Sequence, residues 1–220
     1  MDDSYEKLYW DRRYARGEDS GVGSRGESLK YKADYLNSAF KKYDIESVFD
    51  FGCGDGNLVS LLNTKLYFGI DVSVESIRAC RIRFRSENGY YFECGHFFEY
   101  TPEVIREKIN PLDCVMCIDV LYHIINRDVL VKTLENIFGS MARIIILYTY
   151  PLGAIKKDRD MRVYGMYARD IAPILKDIVN EYRLEANTEP ALGSASGFLV
   201  YQKKVGEASK KIVSHMVGYS

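Results

Sequence analysis

Apolar positions along the chain follow two alternating rhythms. Five short runs rich in β-branched and aromatic residues read as strands: Ser47 to Phe51, Leu66 to Ile70, Tyr90 to Cys94, Cys114 to Ile118 and Arg143 to Tyr148. Between them apolar residues recur at helical spacing, over Asn57 to Leu62, Val74 to Phe84, Pro102 to Ile109 and Arg127 to Phe138. In the last of these, Val129, Leu130, Leu134, Ile137 and Phe138 form one stripe. Strand and helix alternating at this interval predict right-handed βαβ units and a parallel sheet. The fourth strand, CVMCI, is apolar throughout, as a central strand covered by helices on both faces requires.

The ends break the rhythm. Ahead of Glu46 lies a Gly/Ser-rich loop, RGEDSGVGSRG, followed by an amphipathic helix, ESLKYKADYLNSAFKKY. After Tyr148 come a polar loop, a helix over Ala168 to Val179, and two strands, YRLEAN and SGFLVYQKK, joined around Pro190 and Gly193. The two strands predict an antiparallel hairpin at one sheet edge. The expected fold is α/β, a doubly wound, mostly parallel seven-stranded sheet closed by that hairpin. The expected organisation is an N-terminal cap over residues 1–45, a core over 46–205 and a tail over 206–220.

Composition narrows the partners. The chain has 220 residues, 47% of them apolar, enough for one sizeable core. A formal net charge of -1 argues against a protein held mainly by phosphate backbones, which would carry a basic excess. The basic run RACRIRFR falls on a predicted helix and reads as a solvated face. The closest approach to a zinc or disulfide motif, CVMC over Cys114 to Cys117, lies in a strand whose alternation puts its thiols on opposite faces. Buried free thiols suit a reducing compartment. The acidic, aromatic start MDDSYEKLYW is unlike a signal peptide, and no apolar run reaches the ~18 residues of a membrane span. A cytoplasmic location is expected.

The chemistry gathers around VFDFGCGDGN. A strand running into Gly52, Gly54 and Gly56 and then a helix reads as a ligand-binding turn, because glycine permits positive φ and close approach of a ligand to the main chain; the alternative is a glycine turn that serves plain packing. The N-terminus of the expected helix would add a positive dipole end. Asp71 closes the next strand, at the interval expected of a carboxylate that accepts from ribose hydroxyls, while Ser73 is placed to cap the helix that follows. In the G-x-G-x-x-G pattern the last glycine would stand where Asn57 stands, which disfavours a pyrophosphate cofactor, and there is no Walker lysine.

On VFDFGCGDGN, YFGIDVS and LDCVMCIDVLYHI, in that order and spacing, the chain resembles the class I S-adenosylmethionine-dependent methyltransferases, in pattern from about Ser47 to about Lys204. The upstream segment resembles, more loosely, a subset of bacterial and viral methyltransferases with a Ser/Gly-rich leader. The resemblance implies S-adenosylmethionine as cofactor. Phe51, Gly52 and Cys53, with Gly54 in the same loop, would run beneath its methionine part, and Asp50 would hold its ammonium. Asp71 would accept from the ribose hydroxyls, with Val72 against the adenine. His96 takes the place where many members carry an acidic residue for the adenine amino group, so either His96 accepts there or Phe97 stacks while a backbone amide reads the ring edge. Asp119 and Val120 would line the sulfonium side.

His123, in DVLYHI after the fourth strand, is the candidate base, with Asp119 as the neighbour that tunes it; the alternative is a histidine that only steadies the loop. Tyr122 and Tyr148 would orient an acceptor or pack the core, and His215 would lie on the surface of the tail. Trp10, Tyr14 and Tyr31 give the N-terminal segment aromatic surfaces. Lys32 or Arg25 would meet the cofactor's carboxylate or an anionic substrate if that segment orders over the cofactor. The expected acceptor is a small molecule, a sugar or a glycan precursor. The alternatives are an RNA or protein methyltransferase, on the strength of the 18 tyrosines, and an inactive cofactor-binding regulatory or assembly protein.

Overall fold

A computed structural model describes residues 4–156, 159–161 and 166–204; the tail expectation and His215 lie outside them. The five predicted strands form as β1 (Ser47–Phe51), β2 (Leu66–Asp71), β3 (Tyr90–Cys94), β4 (Cys114–Ile118) and β5 (Ile144–Thr149). They are followed by β6 (Arg159–Met161), β7 (Met166–Ala168), β8 (Tyr182–Asn187) and β9 (Gly197–Lys203). The main sheet has seven strands in the order β3-β2-β1-β4-β5-β9-β8. β1 to β5 are parallel, and β9 runs antiparallel to both β5 and β8. The expected doubly wound sheet with its late hairpin is what the chain builds.

Burial on both faces explains the uniformly apolar strands. On one face Phe49, Val115, Cys117 and Ile145 pack with Leu130, Leu134 and Ile137 of α5 (Arg127–Gly139) and with Leu175 of α6 (Ala172–Ile178). On the other, Val48, Cys114, Met116 and Ile146 pack with Leu36 and Phe40 of α2 (Gly26–Tyr43) and Ile77 of α3 (Val74–Arg83). Cys114 and Cys117 thus part to opposite faces, as alternation requires. α4 (Pro102–Lys108) adds Ile105 to the first face. The chain leaves β1 for β2 and β3 on one side and returns to β4 on the other, so a crevice opens at the carboxyl ends of β1 and β4.

Three expectations change. The helix expected over Asn57 to Leu62 is a 3₁₀ turn, Val59–Leu61. Only six residues separate Gly56 from Asn63, and the N–H of Asn63 donates to the Asn37 side chain at 2.8 Å, which draws the chain off before a second turn can form. No helix dipole therefore points at the glycine loop. The helix expected from Ala168 starts at Ala172, because the Asp170 carboxylate accepts from the N–H groups of Ala172 and Gly153, and Met166–Ala168 instead pairs with β6. Ahead of the amphipathic helix stands α1 (Ser4–Ala15), which no apolar stripe announced.

At the opposite end of the sheet from the crevice, Asp113 gathers the N–H groups of Glu46 and Ser47 at 2.9 and 3.0 Å. Arg143 joins it at 2.9 Å and also donates to the carbonyls of Tyr43 and Asp44 at the end of α2. Partial burial works to raise the Asp113 pKa, but these donors outweigh it and hold it below the usual carboxylate value. Asp113→Ala is expected to cost about 1–2 kcal/mol in urea unfolding, because it strands those donors. A lowered folded pKa stabilises above the unfolded value, so the difference between the two proteins should begin to narrow as pH falls below about 4 and go on narrowing through the lower folded pKa.

Candidate active site

The crevice is built from the ends of β1, β2 and β4. Beyond β1 the N–H groups of Gly52 and Cys53 both donate to the Ile70 carbonyl, at 2.8 and 3.0 Å, which folds the loop over β2. Gly52 has φ +87°, and a Cβ there would collide with Val120. Gly54 has φ +56° and donates to Asp71 Oδ2 at 3.0 Å; a Cβ there would lie 2.8 Å from Ser20 Oγ. Asp71 Oδ1 accepts from the N–H of Ser73 at 2.9 Å. Ser73 caps α3 as expected, and its hydroxyl donates to Asp11 of α1 at 2.7 Å. Burial raises the Asp71 pKa, while the N–H donors of Ser73 and Gly54 pull it back toward ionisation.

Asp50 is 2% exposed on β1. Its Oδ2 accepts from the Tyr67 hydroxyl, and its Oδ1 has no hydrogen-bond partner among the described residues. Burial pushes its pKa up to about 7, against the lowering effect of the Tyr67 bond.

At the end of β4, Asp119 adopts φ 62°, a left-handed conformation that costs a side-chain-bearing residue about 1 kcal/mol or more. The turn aims its carboxylate at α2. Lys32, 3% exposed, forms an ion pair with Asp119 Oδ2, and Tyr122 donates to Oδ1 at 2.6 Å. The Lys32 ammonium also stands 5.2 Å from the Tyr148 ring. Burial drives the Tyr122 pKa upward, so its hydroxyl stays a donor.

α1 roofs the crevice with Glu6, Trp10 and Tyr14, four residues apart and so on one face of the helix. Trp10 meets His123 edge to face, ring centroids 5.0 Å apart and planes at 90°. Tyr14 and Ser20 share a hydrogen bond of 2.7 Å above Gly54. Arg25 ties the segment to the glycine loop through Asp55 at 2.5 Å and to Asp19 at 3.1 Å. The cavity measures about 110 Å³, is partly open to solvent and is lined by Trp10, Lys32, Asp50, Asp71, Asp119 and His123 among others.

The expected residues fall as follows. Gly52, Cys53, Gly54, Val72, Phe97 and Val120 line the cavity, together with Asp50, Asp71, Asp119, Lys32 and His123. Phe51 stands outside the cavity lining, its ring buried in the core against Phe97. His96 stands outside the cavity lining, stacked on Phe98 with centroids 5.5 Å apart and its N–H donating to Glu99. Phe97, not His96, is the residue of that loop at the cavity wall. Asp119 engages Lys32 and Tyr122. Sequence reasoning missed Glu6 and Ser20, although the spacing of Glu6, Trp10 and Tyr14 is a helical signal.

These residues fit a nucleoside bearing an ammonium and a sulfonium. Asp50 Oδ1, unpartnered among the described residues, can accept from an ammonium, the bare loop at Gly54 admits a ligand against the main chain, and each Asp71 oxygen retains a lone pair for a hydroxyl. Glu6, Asp50, Asp55, Asp71 and Asp119 face the cavity against Lys32, a balance that favours a cation.

A family model described as a methyltransferase domain matches residues 49–143. No curated protein matches the sequence at a significant level. Among solved structures, the N-methyltransferase NodS from Bradyrhizobium japonicum WM9, bound to S-adenosylhomocysteine, superposes with a TM-score of 0.69 at 12% identity, covering 91% of this chain and 99% of that one. Magnesium protoporphyrin IX methyltransferase from Synechocystis PCC 6803 with bound S-adenosylmethionine gives 0.62 at 17% identity, covering 93% and 98%. The small RNA methyltransferase HEN1 gives 0.60 at 15% identity over 86% of this chain and 27% of that one. At these identities the likeness is one of fold.

A cation held by Asp50 requires the ionised carboxylate. Affinity for S-adenosylhomocysteine measured by calorimetry is therefore expected to fall, approaching tenfold per pH unit, as pH drops below about 7. Asp50→Asn should bind more weakly at pH 8 and lose that dependence.

Proposed function

We propose that this chain, whose residues 49–143 match a methyltransferase domain, is a class I S-adenosylmethionine-dependent methyltransferase that methylates a small molecule, sugars and glycan precursors included, admitted beneath the N-terminal segment. The observation that carries this reading is the roof of α1, whose Glu6, Trp10 and Tyr14 line the cavity and narrow it to the size of a small acceptor. Residues 1–45 serve in this proposal as a cap on the core over 46–205. The setting is cytoplasmic, in keeping with the five free cysteines of the described chain. Among the described residues no helix is long and apolar enough to cross a membrane.

The cofactor supplies an electrophilic methyl group on a positively charged sulfur. The chain's own residues bind, align and exclude water. Asp50 would hold the ammonium and Asp71 the ribose hydroxyls, with Val72 and Phe97 at the adenine. Gly52 and Gly54 leave the space that a Cβ would close. Lys32, kept in its ion pair with Asp119, would stand at the cofactor's carboxylate. Alignment of the acceptor with the methyl group is the main source of rate in such a displacement. His123, steadied by Trp10, would take the acceptor's proton on its imidazole.

Calorimetry and turnover test this. Asp71→Ala is expected to weaken S-adenosylhomocysteine binding by about 1–3 kcal/mol, the cost of leaving buried hydroxyls without their acceptor. His123→Ala should leave that affinity intact and lower kcat by roughly 10²–10⁴. Incubation with methyl-labelled cofactor and fractionated cell extract should label the small-molecule fraction; label in RNA or protein instead would overturn the substrate class.

A further inference from the structure

The carboxylates at the cavity differ in what answers them. Asp119 is paired with Lys32, and Asp55 with Arg25. Asp71 takes two main-chain N–H groups, and Asp50 presents its orphaned oxygen on the cofactor side. Among the described residues no cation pairs with Glu6. It lies across the cavity on α1, where its Oε1 accepts from the N–H of Ile125 at 3.0 Å, two residues beyond His123. That bond fixes the carboxylate at the acceptor end of the site and leaves Oε2 available. Trp10, one turn further along α1, presents an aromatic ring to the same space, edge-on to the imidazole of His123.

We infer that the methyl acceptor is an amine, held as its ammonium by Glu6 and the aromatic wall of Trp10. This rests on the methyltransferase reading and names its substrate class. A carboxylate beside an aromatic ring selects a cation over an isosteric hydroxyl, through Coulomb attraction and the ring quadrupole together. An ammonium has no lone pair with which to attack. One N–H proton therefore passes to the imidazole of His123 and on to water. The freed nitrogen pair forms the new N–C bond as the methyl–sulfur bond breaks, and its electron pair stays on sulfur, leaving a neutral thioether. The product nitrogen regains its charge with one methyl group added. Glu6 binds and orients the acceptor; His123 moves the proton. An anionic acceptor would instead meet the uncompensated Glu6, since Lys32 is held by Asp119.

Glu6→Gln isolates the charge, because the amide oxygen can still accept from Ile125 N–H and keep α1 in place. The probes are benzylamine and benzyl alcohol, of matched size, titrated at pH 7 into the full chain saturated with S-adenosylhomocysteine. The wild type is expected to bind benzylamine at least tenfold more tightly than the alcohol. Glu6→Gln should erase that preference while its affinity for S-adenosylhomocysteine and its melting temperature stay unchanged. Equal binding of the two probes, binding of neither, or a preference that survives Glu6→Gln overturns the amine assignment. Failure of the wild type to bind S-adenosylhomocysteine at all overturns the methyltransferase reading instead, so the two failures are distinguishable.

Discussion

The buried Asp71 carboxylate is where the separate parts of this molecule are joined. One oxygen holds the N–H of Gly54 and so fixes the curl of the loop leaving β1; the other holds the N–H of Ser73, where α3 begins. Ser73 in turn donates to Asp11, which brings α1 onto the same point. Strand, glycine loop, helix and roof are thus mutually positioned through a few charge-assisted bonds, each strengthened by the low dielectric that burial provides. The groups that face a ligand are oriented before it arrives.

The opposite wall is organised by a second buried charge. Lys32 and Asp119 come from positions far apart in the chain, and removing one would leave the other an uncompensated charge among Tyr122, Tyr148 and the end of β4. The left-handed backbone of Asp119 is the strain tolerated to bring that carboxylate to α2. The pair makes α2 part of the site wall as well as a layer of the core, because the same helix that presents Lys32 buries Leu36 and Phe40 against the sheet.

Much of this was legible in the sequence for local reasons. The central strands β1, β4 and β5 are buried on both faces, so their composition alone marks them, and β1, β3, β4 and β8 fall where the apolar pattern put them. The glycine loop and Asp71 are local too, since each glycine answers a steric demand within a few residues. What escaped detection depends on distant partners. The turn at Val59–Leu61 fails to become a helix because Asn37, on another helix, captures Asn63. α1 carries its stripe as Glu6, Trp10 and Tyr14, a mixture of charge and aromatic that no apolar periodicity registers. His96 occupies an expected position in the chain, yet the 3₁₀ turn at Phe97–Glu99 stacks it on Phe98 and gives the cavity wall to Phe97.

The clasp at Arg143 bears on where this protein can be cut. Its guanidinium holds the carbonyls of Tyr43 and Asp44 to Asp113, which pins α2 at the end remote from the crevice, while Lys32 pins it near the crevice. A recombinant fragment beginning at the first strand would keep the matched methyltransferase segment and yet lay bare one apolar side of the sheet. The leader and the nucleoside-binding half are in that sense one folding unit, and boundaries drawn from the recognisable motif alone would yield an aggregating polypeptide.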